Sequence, residues 1–247
     1  ARVQAKMLIL SYSSDWLYPP YQSQMMVDAL RRQRKNVTYC NIQSDYGHDA
    51  FLLEVDVMRK VIGGYLEHVA DPDRVSQLGH EVVVDSEAEP GPPSATQSIY
   101  EGHRVDYDMI IDLVDDGSRV LDIGCGDGEL LTRLVAERRV RGTGIELAQG
   151  NIISCVRRGI SVIQADVDHG LAAIPDSSYD WAILSMTLQV VERPEVVIRE
   201  MLRIAKRCIV SFPNFGFWKV RGKLALQWFA PVTRNLPYTW YASPNRH

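Results

Sequence analysis

Short runs of apolar residues alternate along the chain with segments in which apolar residues recur every three or four positions. The runs predict buried strands, and the spaced segments predict helices. We predict strands at 7–12, 37–42, 120–123, 142–147, 161–166, 180–186 and 207–212, and helices at 21–32, 50–69, 103–114, 128–138, 148–158 and 194–205. Because strands and helices alternate, the pattern indicates an α/β fold with a doubly wound parallel sheet and right-handed crossovers.

The alternation is interrupted between residues 71 and 97. Acidic residues dominate the first part of this stretch, and Pro90-Gly91-Pro92-Pro93 follows them. A segment rich in acidic residues, proline and glycine, without periodic apolar positions, is typical of a flexible linker. We therefore predict two folded units, residues 1–70 and 98–247, joined by a linker at 71–97.

Composition excludes several classes of protein. Hydrophobic residues make up 46% and charged residues 23%, and the formal charge of −4 gives no reason to expect binding to nucleic acid. The four cysteines show no C-x-x-C pairing, so we expect no metal site, no disulfide framework and a cytoplasmic setting. No apolar run approaches the roughly 20 residues that cross a bilayer, so we expect no membrane partner.

The most informative stretch is 118–128, with the sequence S-R-V-L-D-I-G-C-G-D-G. A strand that ends in glycines directly before a helix forms a turn whose backbone N–H groups can face a ligand. A dinucleotide fingerprint counted from Gly124 would need glycine at position 129, which is Glu129. The spacing D-x-G-x-G-x-G is typical instead of S-adenosylmethionine (SAM) methyltransferases, and a plain nucleotide-binding Rossmann protein is the alternative. The residues of the pattern are Asp122, Gly124, Gly126 and Gly128.

Three acidic residues lie at the ends of three successive predicted strands. Asp122 would face the ammonium group of SAM, and Glu146 would accept hydrogen bonds from both ribose hydroxyls. Asp166 would accept the adenine amino group, with Val167 beside the ring. Each acid alone could be a solvated strand end or could cap a turn. The three in order favour a cofactor site.

The first unit carries an acid and a histidine in the order found in α/β-hydrolases. In that fold the chain order is nucleophile, acid, histidine, with the acid after one strand and the histidine after the next. Asp15 and His48 hold these places, and we predict Asp15 to orient the imidazole and His48 to act as general base. The alternative is that Asp15 caps a loop and His48 is a turn histidine. No G-x-S-x-G nucleophile motif occurs in the 247 residues.

The blocks S-S-D-W-L-Y-P-P and Y-G-H-D-A-F-L-L-E resemble the C-terminal part of MetX-type homoserine O-acetyltransferases. The resemblance covers about the first 70 residues and implies a partial α/β-hydrolase domain with Asp15 and His48 as members of its triad. It also implies homoserine and acetyl-CoA as substrates of the complete enzyme. Because the chain starts at Ala1, almost directly before a strand, we expect an N-terminal acyltransferase portion with the serine to be missing.

The second unit resembles the MetW family of methionine biosynthesis. The resemblance is carried by V-L-D-I-G-C-G-D-G-E-L-L, R-G-I-S-V-I-Q-A-D-V-D-H-G-L, L-S-M-T-L-Q-V-V and I-V-S-F-P-N-F-G-F-W, and by P-V-T-R-N-L-P-Y-T-W-Y. It implies a SAM-methyltransferase fold, which we expect to be truncated before its last two strands. This unit is either an enzyme that methylates a small acceptor or a regulatory module that supports the acyltransferase. A homodimer is compatible with either role.

Overall fold

The computed structural model describes residues 5–70 and 105–212, except Gly170. The strands are β1 (Met7–Tyr12), β2 (Val37–Ile42), β3 (Arg119–Ile123), β4 (Arg141–Glu146), β5 (Ser161–Gln164), β6 (Tyr179–Ser185) and β7 (Ala205–Ser211). The helices are α1 (Pro20–Arg32), α2 (Ala50–Leu53), α3 (Val55–Ala70), α4 (Val105–Leu113), α5 (Glu129–Arg138), α6 (Gln149–Arg157) and α7 (Pro194–Ile204). Short 3-10 turns occupy Gly47–Asp49 and Leu188–Val190.

All seven strands form one parallel sheet in the order β1-β2-β5-β4-β3-β6-β7. From β3 the chain proceeds outward through β4 to β5, and it then returns to the other side of β3 to form β6 and β7. The direction of winding therefore reverses between β3 and β6, and ligands of open α/β sheets bind outside the carboxyl ends of the strands at such a point. The predicted parallel α/β sheet is confirmed.

The strands of the two predicted units lie side by side in this sheet. Tyr39 of β2 pairs with Ile163 of β5. Behind the sheet, α3 packs against α6, and His68 Nε2 lies 2.6 Å from the carbonyl oxygen of Arg157. The predicted linker at 71–97 lies outside the described residues, so the proposed boundary between the units stays a prediction.

Apolar side chains cover both faces of the sheet. One buried cluster combines Cys40, Ile42 and Val61 of the first segment with residues of α6 such as Ile152. The cluster on the opposite face includes Met201 of α7 and buried residues of β3, β4 and β6. Because the first cluster contains side chains from both segments, residues 5–70 and 105–212 share a hydrophobic core.

Most predicted elements are observed with one or both ends shifted by one or two residues, and two differences lie close to the predicted site residues. The predicted helix at 50–69 is preceded by a 3-10 turn and is interrupted at Glu54, whose φ of −81° and ψ of 44° are not helical. The predicted strand at 161–166 ends at Gln164, so Asp166 lies in the following loop. The predicted C-terminal truncation concerns residues beyond 212 and lies outside the described part of the chain.

Candidate functional site

The turn between β3 and α5 depends on glycine for its backbone conformation. Gly124, Gly126 and Gly128 have φ values of 72°, 57° and 84°, in the left-handed region that side chains disfavour. Gly124 is also enclosed, since a Cβ atom there would lie 2.6 Å from Oγ1 of Thr187. The glycines therefore allow both the tight turn and a close approach of the chain that follows β6.

The N–H groups of this turn bond within the protein. Gly124 and Cys125 both donate to the carbonyl oxygen of Ile145, at 2.8 and 3.1 Å, and Gly126 donates to Oε2 of Glu146 at 2.9 Å. We predicted that turn N–H groups would face a ligand, and these three do not. These bonds hold the turn against the end of β4. The glycines therefore let the backbone of the turn lie close to that strand, and the turn does not form a phosphate-binding loop.

The Glu146 carboxylate is the centre of the site. Its Oε1 accepts hydrogen bonds from the backbone N–H groups of Leu147 and Ala148, both at 2.9 Å, and its Oε2 accepts the bond from Gly126. Burial raises the pKa of the Glu146 carboxyl above its ordinary value, while these N–H groups and the Asn151 side chain act in the opposite direction. A carboxylate has about four acceptor positions, and three backbone N–H groups already bond this one, so ribose hydroxyls bound here would compete with them.

The other predicted ligands lie at the ends of the adjacent strands. Asp122 on β3 is 2% exposed, directly before the glycine turn. Asp166 follows β5 and is half exposed, with Oδ1 accepting the N–H of Asp168 at 2.9 Å and Oδ2 lying 3.2 Å from Nδ1 of His169. Val167 packs against the buried cluster that contains Met201 of α7. The predicted residues therefore follow β3, β4 and β5 in spatial order along one edge of the sheet.

Two buried thiols lie beneath the turn. The Sγ atoms of Cys125 and Cys155 are 3.8 Å apart, and Cys155 also donates to the carbonyl oxygen of Gly126 at 3.2 Å. The hydrogen bond with Cys155, together with burial, raises the pKa of the Cys125 thiol. A thiol of raised pKa is a poor nucleophile, which agrees with a packing role for the buried Cys125 side chain.

Asp15 and His48 form a pair at the ends of β1 and β2. Nδ1 of His48 lies 3.2 Å from Oδ2 of Asp15, and Asp15 is 8% exposed. The other carboxylate oxygen accepts the N–H groups of Leu17 and Tyr18, both at 2.9 Å. The bond from Tyr18 makes the largest contribution to lowering the pKa of Asp15, and the bond from His48 adds to it. An ionised Asp15 favours the tautomer with its proton on Nδ1, which leaves Nε2 as an acceptor.

Serine side chains join the two loops that carry this pair. Ser44 donates its N–H to Oγ of Ser13 at 3.0 Å, and Gly47 donates its N–H to Oγ of Ser14 at 2.9 Å. The His48 ring contacts the rings of Tyr18 and Phe51. Sequence reasoning missed these serines because nothing in their spacing distinguishes them from ordinary loop residues.

Large exposed apolar side chains are concentrated in the two segments that carry the pair. They are Trp16, Leu17, Tyr18, Tyr21, Phe51, Leu52 and Leu53, and Trp16 is 77% exposed. Exposed apolar side chains in such number are typical of an interaction site. On the far side of β1, the part of the chain that the structure describes supplies no neighbouring strand.

The comparisons with known proteins identify a family and several relatives. A family model described as "Methionine biosynthesis protein MetW" matches residues 104–247. The chain belongs to the MetW family. A bifunctional methionine biosynthesis protein MetXA/MetW of Rhodopirellula baltica is 36% identical over 248 residues, which cover 97% of this chain and 37% of that protein. A homoserine O-acetyltransferase of Methanosalsum zhilinae is 52% identical over 71 residues, which are 29% of this chain and 14% of that enzyme.

These matches confirm that the chain joins the C-terminal part of a homoserine O-acetyltransferase to a MetW-family unit. The chain spans little more than a third of the bifunctional relative, of which it covers 37%. Two of the predicted MetW motifs, from Ile209 to Trp218 and from Pro231 to Tyr241, lie wholly or mostly beyond the described residues.

Solved structures also resemble part of the chain. A SAM-dependent methyltransferase from Archaeoglobus fulgidus is 25% identical with a TM-score of 0.41, and the match covers 44% of this chain and 51% of that one. A methyltransferase of an antibiotic biosynthesis pathway from Anabaena variabilis is 19% identical with a TM-score of 0.41 and 54% coverage of both chains. Because both TM-scores are below 0.5, we base no conclusion on them.

Two kinds of feature are absent from the described ranges. No helix of residues 5–70 or 105–212 is long and apolar enough to cross a membrane. Among the same residues, no group of three or more His, Cys, Asp or Glu side chains is arranged to hold a metal ion.

Proposed function

We propose that this chain combines the acid–base half of a homoserine O-acetyltransferase with a MetW-family unit that binds SAM. The observation that supports both halves is their common placement. The Asp15–His48 pair and the glycine turn with Glu146 lie at the carboxyl edge of one parallel sheet, where α/β proteins place their ligands. The first segment is then the last part of an α/β-hydrolase domain.

In the acyltransferase reaction, His48 moves protons while Asp15 holds it in place. With its Nδ1 proton directed to Asp15, the ring accepts the proton of a serine hydroxyl at Nε2 as the serine attacks the acetyl thioester. The thiol of coenzyme A leaves with that proton. His48 then takes the proton of the homoserine hydroxyl as this attacks the acetyl-serine, and returns it to the serine. In this proposal the serine would come from acyltransferase sequence outside these 247 residues.

The exposed apolar side chains around His48 support that assignment. Residues such as Trp16, Tyr18 and Leu52 are 77%, 60% and 61% exposed. Within the described ranges, β1 pairs with one strand, β2, so its other edge has no strand partner there. The missing acyltransferase portion would cover this surface and continue the sheet beyond β1. In that position it would also bring its serine to the carboxyl ends of β1 and β2, beside His48.

The MetW-family unit would hold SAM along the ends of β3, β4 and β5. Asp122 would face the ammonium group, Glu146 the ribose hydroxyls, and Asp166 the adenine amino group, with Val167 beside the ring. The residue types fit, because each of these groups is a hydrogen-bond donor and each proposed partner is a carboxylate. Bound SAM supplies an electrophilic methyl group.

The second candidate role is a non-catalytic module that regulates the acyltransferase. Pairing of β2 with β5 and packing of α3 on α6 favour it, because they connect the two sites through rigid elements. Incubation with radiolabelled SAM and candidate acceptors separates the roles. Methyl transfer shows an enzyme, whereas tight binding without transfer leaves the regulatory role.

The test of the cofactor site is calorimetric titration with S-adenosylhomocysteine. We expect micromolar binding by the 247-residue chain and loss of binding in Glu146→Ala. Glu137→Ala, near the C-terminal end of α5 and so at the other end of that helix from the turn, is the matched control and should bind as the parent does. A folded chain that ignores S-adenosylhomocysteine but binds NAD would overturn the proposal in favour of a plain Rossmann protein.

A further inference from the structure

Two glutamine side chains connect the loop that follows Glu146 to the end of β2. Gln164 on β5 accepts the N–H of Asn41 at 2.6 Å and donates through Nε2 to the carbonyl oxygen of Leu147 at 3.0 Å. Gln149, the first residue of α6, accepts the N–H of Gln43 at 3.0 Å. Both contacts join positions more than 100 residues apart in the chain.

On one side, these glutamines hold the loop that surrounds the Glu146 carboxylate. Gln164 bonds the carbonyl of Leu147, and the N–H of the same residue bonds Glu146. The N–H of Ala148, directly before Gln149, bonds the same carboxylate oxygen. Three backbone N–H groups already bond this carboxylate, so ribose hydroxyls that bind there compete with them for its acceptor positions. We therefore expect ligand binding to rearrange the loop at 146–149.

On the other side, the same glutamines hold the end of β2, which leads to His48. The Asn41 side chain accepts a hydrogen bond from Oγ of Ser11 at 2.8 Å, so β2 is tied to β1 by side chains as well as by the sheet. Ser44 follows Gln43 directly and makes the double contact with Ser13 that joins the two loops of the acid–base pair. The Gln149 and Gln164 contacts therefore belong to a chain of hydrogen bonds that runs from the loop after Glu146 to the loops that carry Asp15 and His48.

We propose that the MetW-family unit senses an adenosyl ligand and reports its presence to the acyltransferase centre through Gln149 and Gln164. The ligand class is a nucleoside with free ribose hydroxyls, such as SAM or S-adenosylhomocysteine. The inference rests on the proposed cofactor site and adds to it a route of communication. Coupling of this kind is reciprocal, so a change in the acid–base pair also alters the affinity for the ligand.

The experiment follows His48 while S-adenosylhomocysteine binds at the other site. The chain is labelled with ¹³C in its histidine rings, and the His48 resonance is identified by its loss in His48→Gln. Calorimetry on the same samples measures binding independently. We expect saturation with the ligand to shift the His48 resonance in the parent chain. In Gln149→Ala/Gln164→Ala, binding should persist and the shift should be lost.

The control is Gln22→Ala/Gln24→Ala, which removes two glutamines from α1 and should leave the shift unchanged. If the double variant at 149 and 164 does not fold, Gln149→Ala alone removes one exposed contact and should reduce the shift. Binding without any movement of the His48 resonance, or a full shift in the Gln149→Ala/Gln164→Ala variant, overturns the coupling and leaves the cofactor site standing. Absence of binding by the folded parent chain overturns the cofactor site and the coupling with it.

Discussion

Gly64 of α3 lies directly against the backbone of Arg157 in α6. A Cβ atom at Gly64 would stand 3.2 Å from both Cα and Cγ of Arg157 and 3.4 Å from its backbone nitrogen. Close contact between these helices thus depends on the absence of a side chain at one position. Since α3 lies in residues 5–70 and α6 in the MetW-family match, this contact brings the two segments close together.

Replacing Gly64 with leucine should destabilise the chain through this contact. The added side chain has no space against the Arg157 backbone, and overpacking of this kind costs about 1–3 kcal/mol. A Cβ atom at Gly63, one position earlier on the same helix, would have no atom within 4 Å, so Gly63→Leu is the matched control and should be neutral or stabilising. Urea unfolding of both variants measures the difference. Equal midpoints would show that α3 does not pack on α6 in solution.

Asp180 links three strands and should make stability depend on acidic pH. Its carboxylate accepts hydrogen bonds from Lys206 Nζ at 2.8 Å and from the Arg119 N–H at 2.9 Å. The bond from Lys206 is the main cause that lowers the pKa of Asp180 from 3.8 to about 2. Stability from a lowered pKa is present above the unfolded value and is lost as pH falls through the folded value, so the window here is about pH 4 to pH 2.

We therefore expect Asp180→Asn to cost about 1–2 kcal/mol at pH 7, after allowance for partial exposure of the group. The difference from the parent chain should shrink between about pH 4 and pH 2 in urea unfolding series. Asp56→Asn breaks an exposed contact with Arg59 and should have little effect at any pH. A difference for Asp180→Asn that stays constant across this window would contradict the assigned role of the carboxylate.

Gly144→Ala should destabilise the glycine turn between β3 and α5, which contains Cys125. A Cβ at Gly144 on β4 would overlap Sγ of Cys125, which is buried and has no room to move. The expected loss is about 1–3 kcal/mol. Cys125→Ala removes the overlapping sulfur, so the double variant should recover part of the loss in a double-mutant cycle. Gly150→Ala, with open space around its Cβ, is the control and should leave thermal unfolding unchanged or slightly improved.

Asp15→Ala should loosen the loop that presents the acid–base pair. The change removes the carboxylate that accepts the N–H groups of Leu17 and Tyr18, and intramolecular hydrogen bonds of this kind contribute about 0.5–1.5 kcal/mol each. Faster amide hydrogen exchange at residues 16–18 is the expected readout. Asp45→Ala, an exposed residue of the neighbouring loop, should leave this exchange unchanged. Unaltered exchange in Asp15→Ala would show that the carboxylate does not organise the loop.

Local patterns in the sequence were sufficient to locate most elements. The strands at 7–12 and 37–42 are confirmed with their predicted bounds, because short apolar runs between polar loops leave little freedom in where a buried strand begins and ends. The pairing of Asp15 with His48 also follows from local order, since it needs only two adjacent parallel strands with a loop after each. Their chemical roles stay predictions.

The remaining features depend on contacts between distant parts of the chain. The pattern shows that β2 is buried but does not reveal that its neighbour is β5, because hydrophobic periodicity indicates faces and not partners. The interruption at Glu54 is invisible for the same reason, since apolar positions continue at helical spacing across it. The hydrogen bond from the Gly126 N–H to the Glu146 carboxylate depends on the fold of the loop after β4.

The outer edge of β1 has a consequence for handling the protein. On the side away from β2, the described part of the chain leaves the backbone N–H and C=O groups of Met-Leu-Ile-Leu-Ser-Tyr without a strand partner. An apolar segment of six residues with an open edge is a template for pairing with an identical segment from another molecule. Concentrated solutions of this chain should therefore aggregate through β1, and a charged residue placed on this edge, as in Leu10→Lys, should reduce the aggregation.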